Sequence, residues 1–134
     1  MNQIDLAGRR AIITGGAQGI GLATAERFIA SGAEVVLWDI NAANLDRATD
    51  ALGGSASGRV VELTDESAVN DAAREAGAID ILVNNAGITG GNGKTWELAP
   101  DVWRRTVEVN LVAPYLTCRA LVPGMIERGY GRIV

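Results

Sequence analysis

The chain has 134 residues, a net charge of −4, 48% hydrophobic and 21% charged residues. That is enough for one buried core, and it lacks the basic excess that a nucleic-acid partner demands. There is no histidine and a single cysteine, Cys118, so the commonest metal ligand and general base is missing, no disulfide can form within these residues, and no metal site is expected. Residues 1–10 carry no apolar stretch of the signal-peptide kind, and no run approaches the roughly 18 apolar residues of a membrane span. The expectation is a cytoplasmic protein with neither a membrane nor a nucleic-acid partner.

Short β-rich runs alternate with longer helical ones. Ala11 to Thr14 is a short apolar strand, followed by helical spacing from Ile20 to Ser31 that Gly32 stops. Glu34 to Trp38 is a second strand, Asn41 to Leu52 a second helix ended by Gly53-Gly54, and Ser55 to Gly58 a loop. Arg59 to Leu63 reads as the third strand. Asp65 is placed to cap a helix reaching about Ala76. Ile79 to Val83 is a fourth strand, and Thr89 to Gly93 a loop at its carboxyl end. Pro100 to Arg128 is mostly helical, with Pro100 in the first turn and Pro123 expected to kink or shorten the far end. Gly131 to Val134 begins a fifth strand. This alternation predicts an α/β fold, a doubly wound Rossmann-type parallel sheet covered on both faces, truncated after the fifth strand.

Four features carry chemistry. The first is Thr14-Gly15-Gly16-Ala17-Gln18-Gly19-Ile20-Gly21, between the first strand and the first helix. Side chains at Gly15, Gly19 and Gly21 would hold the backbone away from a pyrophosphate, for which the helix start supplies N–H groups and a favourable dipole. A tight strand-helix turn with no ligand is the plainer alternative. The spacing is T-G-x-x-x-G-x-G, and the G-x-G-x-x-G form occurs nowhere in the chain. The second is Asp39, 18 residues beyond Gly21, whose carboxylate can accept both adenosine-ribose hydroxyls and would repel a 2′-phosphate, favouring NAD over NADP. Asp39 as an exposed acid or helix cap is the alternative. The third is Asn84-Asn85-Ala86-Gly87 at the end of the fourth strand, where small residues admit a ribose and the amides can tie strands together. Alone it would also pass as a turn. The fourth is Asn110, a poor residue for a helix interior, which equally suits a kink.

In this order the four features resemble the short-chain dehydrogenase/reductase family over residues 4–134. The resemblance implies a dinucleotide cofactor, NAD with NADP less expected, held by Gly15, Gln18, Gly19, Ile20, Gly21, Asp39, Asn85, Ala86 and Gly87. It also implies that the acid near the third strand, here Glu62 where the family commonly has Asp, contacts the adenine amino group, or passes that contact to the Leu63 backbone. Asn110 matches the family's Asn that holds a water in the proton relay. The family's catalytic Ser and Tyr-x-x-x-Lys are not among these residues: neither Tyr115 nor Tyr130 is followed by Lys at four residues. Residues 1–134 thus read as the N-terminal dinucleotide-binding part of one domain, inactive alone.

The implied reaction is hydride transfer between NAD(H) and a secondary alcohol/ketone pair, such as a sugar or polyol. A 3-oxoacyl thioester reductase is the second reading, and a non-catalytic dinucleotide-binding fragment the third. The family's interface helices imply a homodimer or homotetramer, with Val102, Val109, Val112, Leu116 and Ala120 giving the 100–128 helix more apolar surface than one sheet face needs. Gly91 to Thr95 imitates a Walker A ending but has Ile88 where a Gly is required. Trp96 and Trp103, seven residues apart, are expected to pack.

Overall fold

The computed structural model describes residues 3–134. Its elements are β1 (Arg10–Thr14), α1 (Gly19–Ala30), β2 (Glu34–Asp39), α2 (Ala42–Leu52), β3 (Ala56–Val60), α3 (Glu66–Ala76), β4 (Ile81–Val83), α4 (Pro100–Val107), α5 (Ala113–Glu127) and β5 (Arg132–Ile133). The strands form one sheet in the order β3-β2-β1-β4-β5, and every pairing is parallel. This is the doubly wound α/β arrangement expected from the alternation.

The pleat sorts the core into two layers. Ile12, Val36, Trp38 and Leu82 face α3 and α5, meeting Val69, Ala72, Leu116 and Leu121. Their chain neighbours Ala11, Ile13, Val35, Leu37 and Ile81 face the other way, against Ala25 of α1 and Leu45 and Ala48 of α2. Because both faces are covered, the central strands read as unbroken apolar runs. Asn41 caps α2 by accepting the Asn44 N–H at 2.9 Å, and Asp65 caps α3 by accepting from Ser67 and Ala68 at 2.9 and 3.2 Å. Pro100 occupies the first turn of α4, where its missing N–H costs nothing.

The structure departs from the sequence reading in four places. The third strand is Ala56–Val60, not Arg59–Leu63, with Ala56 opposite Val35 and Val60 opposite Asp39. This segment lies at the sheet edge under α2, where Leu45 and Thr49 press on Gly58. Small residues therefore pair where a loop was expected, and the apolar Val61 and Leu63 follow the strand's end. Second, α5 continues through Pro123; the irregularity lies upstream, in a π turn over Glu108–Val112 that contains Asn110. Third, Trp96 and Trp103 do not pack inward but are 80% and 56% exposed. Fourth, the apolar stripe through Leu116, Val112 and Ala120 faces the core, while the apolar residues left outside on this helix are Trp103, Leu111, Tyr115 and Ile126.

Helix 100–127 is 28 residues long, and by length and mean hydropathy (1.3 in its most apolar window) it would also suit a membrane. Here its inner stripe forms one cover of the sheet. Among the described residues, no group of His, Cys, Asp or Glu is placed to hold a metal ion.

Candidate functional site

At the carboxyl ends of β1, β2 and β4 lies a cavity of about 390 Å³ lined by the glycine turn, Asp39, the Asn85-to-Ile88 turn and one side of α4. It occupies the place where open α/β sheets take ligands, on both sides of the point where strand order reverses at β1.

The glycine turn is built for close approach. Gly19 opens α1 with φ +58°, and no atom stands within 4 Å of where its Cβ would be, so that face of the turn is open to the cavity. Gly21 lies outside the lining and serves packing. A Cβ there would land on the Gly15 carbonyl oxygen and 2.6 Å from Nδ2 of Asn85. Gln18, the N-cap of α1, makes no side-chain cap bond; its Oε1 instead accepts from Asn44 Nδ2 at 3.2 Å. The helix start is thus left uncapped beside Gly19 and Ile20, both of which line the cavity. Backbone N–H groups and the positive helix end there suit a phosphate.

Asp39 ends β2 in the cavity wall. Its Oδ1 accepts the Asn41 N–H at 3.0 Å and its Oδ2 the Ala17 N–H at 3.3 Å. Those two bonds hold the carboxylate in place, and each oxygen retains capacity to accept a ligand hydroxyl. Helix capping belongs to Asn41, so Asp39 is not spent as a cap.

The Asn84-Asn85-Ala86-Gly87 turn is fastened to β1. Asn85 Nδ2 donates to the Thr14 and Gly15 carbonyls at 3.0 and 3.1 Å, and the Ala86 N–H donates to Thr14 Oγ1 at 3.0 Å. Asn84 turns the other way, its Oδ1 accepting from Thr117 Oγ1 at 2.6 Å, which ties the strand end to α5. Asn85, Ala86 and Gly87 line the cavity. Asn110 is brought to the same end: its Oδ1 accepts the Ile88 N–H at 2.8 Å and its Nδ2 donates to the Ile88 carbonyl at 2.7 Å. The π turn aims this side chain out of the helix, a distortion common at functional sites.

Glu62 does not join this lining, although Val61 and Leu63 on either side of it do. Its Oε1 accepts from the Thr64 N–H and hydroxyl at 3.1 and 2.7 Å, and its Oε2 lies 3.2 Å from Arg105 Nη2. Burial works to raise the Glu62 pKa, but the Thr64 bonds and the Arg105 guanidinium outweigh it and hold the carboxyl below its usual range. Five lining residues were not called from sequence, Ile40, Val61, Ile88, Val109 and Arg105 on α4, and Arg105 is the charged one. Its only signal was a charge in helical spacing from Val109, which by itself reads as a solvated face.

The description "short chain dehydrogenase" fits residues 9–134 as a family model. The chain belongs to the short-chain dehydrogenase family. It is 42% identical over 132 residues to the 2-dehydro-3-deoxy-L-rhamnonate dehydrogenase (NAD(+)) of Sphingomonas sp. (strain SKA58), covering 96% of this chain and 53% of that protein. It is 41% identical over 133 residues to the galactitol 2-dehydrogenase (L-tagatose-forming) of Cereibacter sphaeroides, covering 96% and 52%. Among solved structures, the 3-ketoacyl-(acyl-carrier-protein) reductase from Brucella melitensis complexed with NADH superposes with a TM-score of 0.90 at 36% identity, covering 93% of this chain and 53% of that one. The chain therefore spans about half the length of the curated relatives it matches.

Proposed function

We propose that the whole protein is an NAD(H)-dependent oxidoreductase acting on the secondary alcohol of a sugar or polyol, or on the matching ketone. The observation that carries the cofactor choice is Asp39, a carboxylate fixed by two backbone N–H groups in the cavity wall. The residues fit a dinucleotide: an open glycine turn, an uncapped helix start, an acid at the end of β2, and small residues at the end of β4. When bound, the dinucleotide supplies the hydride donor or acceptor. Gly19 and Ile20 hold the pyrophosphate, Asp39 accepts from the adenosine ribose, and Asn85 to Gly87 admit the nicotinamide ribose. The side-chain amide of Asn110 is spent on Ile88, so a relay water falls to the main chain of its π turn. No residue among 1–134 is assigned as the proton donor, the half-length match to the relatives supports a donor outside these residues, and the expectation is that residues 1–134 alone are inactive.

Titration of the whole protein with NADH and NADPH tests this reading. The expected preference for NADH is at least tenfold, about 1.4 kcal/mol, and Asp39→Ala should narrow it chiefly by weakening NADH. Equal affinities in the wild type would refute it. Sugar and polyol substrates draw support from the Sphingomonas and Cereibacter relatives. The Brucella likeness favours 3-oxoacyl thioester reduction as the second reading, and turnover on a panel of polyols, sugar acids and acetoacetyl thioesters separates the two.

We also propose a homodimer or homotetramer. Leu111 and Tyr115, 68% and 61% exposed one turn apart, form an apolar face on a helix whose other face already covers the sheet.

A further inference from the structure

Accepting the dinucleotide reading above, the adenine would lie past Asp39, where Ile40, Val61, Leu63 and Arg105 are among the lining residues that could hold it. Three of these are apolar. Arg105 is the one cation among the lining residues, and it is not loose. Its Nη1 donates to Thr64 Oγ1 at 2.9 Å and its Nη2 sits 3.2 Å from Glu62 Oε2, while the same Thr64 hydroxyl donates to Glu62 Oε1 at 2.7 Å. The three side chains close a ring of hydrogen bonds on the outer rim of the cavity. Glu62 stands between two lining residues without being one itself, and both its oxygens are engaged by Thr64 and Arg105.

We propose that Arg105, oriented by Glu62 and Thr64, is a specificity-determining wall of the adenine end, and that Glu62 acts on the adenine only through it. A guanidinium is planar and more weakly hydrated than an ammonium, so it can stack flat on an aromatic face, which an ammonium cannot. Such a wall recognises a purine by its surface and is indifferent to the exocyclic group. Glu62 neutralises the guanidinium, so Arg105 does not turn the cavity into a 2′-phosphate site and the Asp39 preference stands. This inverts the expectation that Glu62 accepts directly from the adenine amino group.

The test compares the affinity of the whole protein for NADH and for reduced nicotinamide hypoxanthine dinucleotide, which carries a carbonyl oxygen in place of that amino group. A carboxylate facing the base would repel the carbonyl; a guanidinium wall would not distinguish the two. The wild type is expected to bind both within about threefold. Arg105→Met should weaken both about tenfold with their ratio unchanged, and Arg105→Lys, which keeps the charge and loses the plane, should not restore full affinity. Glu62→Gln should weaken both by the same factor. Arg105 has a side chain 50% exposed, so its variants should fold. If they do not, Thr64→Val removes the shared hydroxyl, with the same expectation of weaker binding at constant ratio. The proposal is overturned by a wild-type preference above tenfold for NADH that Glu62→Gln abolishes, or by unchanged affinities in Arg105→Met. A wild type that binds neither dinucleotide overturns the cofactor reading itself, and this inference with it.

Discussion

Gly19 and Gly21 lie two residues apart in one turn, yet replacing each with alanine tests different physics. At Gly19 the obstacle is conformation: φ is +58° with open space around the missing Cβ. A non-glycine residue in that region costs about 1–2 kcal/mol, offset by about 0.4–1 kcal/mol from the stiffer unfolded chain. Net loss of stability in Gly19→Ala should be near 1 kcal/mol, and Gly19→Asn, which tolerates that region, should recover most of it. At Gly21 the backbone is already helical, so alanine would gain about 1 kcal/mol in propensity if the site were free. It is not free: the methyl meets the Gly15 carbonyl, which cannot give way, and lies 2.6 Å from the Asn85 amide that fastens β4 to β1. Overpacking costs about 1–3 kcal/mol, and a clash with a backbone oxygen belongs at the upper end of that range; less the propensity gain of about 1 kcal/mol, Gly21→Ala should be destabilised by about 1–2 kcal/mol, and Gly21→Asn should be worse. Urea unfolding of the four variants, with NADH binding measured beside it, separates the cases. Both alanines should weaken NADH, Gly19 by filling the phosphate approach and Gly21 by moving Asn85. A Gly21→Ala protein as stable as wild type would refute the packing argument.

Asn110→Ala removes both bonds to Ile88, each worth about 0.5–1.5 kcal/mol. Turnover should fall more than NADH affinity, because these bonds hold the π turn whose main chain is assigned the relay water, and an unchanged turnover number would show that the side chain is not needed to hold it. Glu62 should titrate below an ordinary glutamate, because the Thr64 bonds and Arg105 outweigh its burial. The Glu62–Arg105 link is then complete above the unfolded-state pKa of about 4.3 and is lost only as pH falls through the lower folded value. Carboxyl carbon NMR reads this directly, and Arg105→Met should move the midpoint upward; a midpoint that stays put would show that the guanidinium has no part in it. For assembly, sedimentation of the whole protein should show a dimer or tetramer that Leu111→Glu dissociates, and a monomeric wild type would dispose of the interface.

The strands were legible where both faces are buried. β1, β2 and β4 are unbroken apolar runs because α1 and α2 cover one side and α3 and α5 the other. β3 was misplaced because it breaks that rule. Ala56, Ser57 and Gly58 look like a loop, but an edge strand under α2 needs small residues more than apolar ones, and the register with β2 supplies the pairing. The Asp65 cap was legible for a related reason: it acts on N–H groups two or three residues away, so its effect is encoded locally.

What sequence spacing cannot carry is the direction of a side chain once regular structure ends. Val61, Glu62 and Leu63 follow β3 without ladder bonds to β2 beyond the Val61 N–H to Asp39 carbonyl link, so nothing in the local pattern says which of them faces a ligand. Arg105, 43 residues away, engages Glu62, and it is the two apolar neighbours that line the cavity. The same logic moves the helix distortion from Pro123 to Asn110. A proline near a helix end leaves only one carbonyl without its donor, whereas an asparagine that makes two bonds to Ile88 across the cavity mouth can draw the helix into a π turn. In both places a long-range polar contact outweighs the local preference, and in both the contact borders the cavity. Both contacts end on residues that line the same cavity, Arg105 for Glu62 and Ile88 for Asn110.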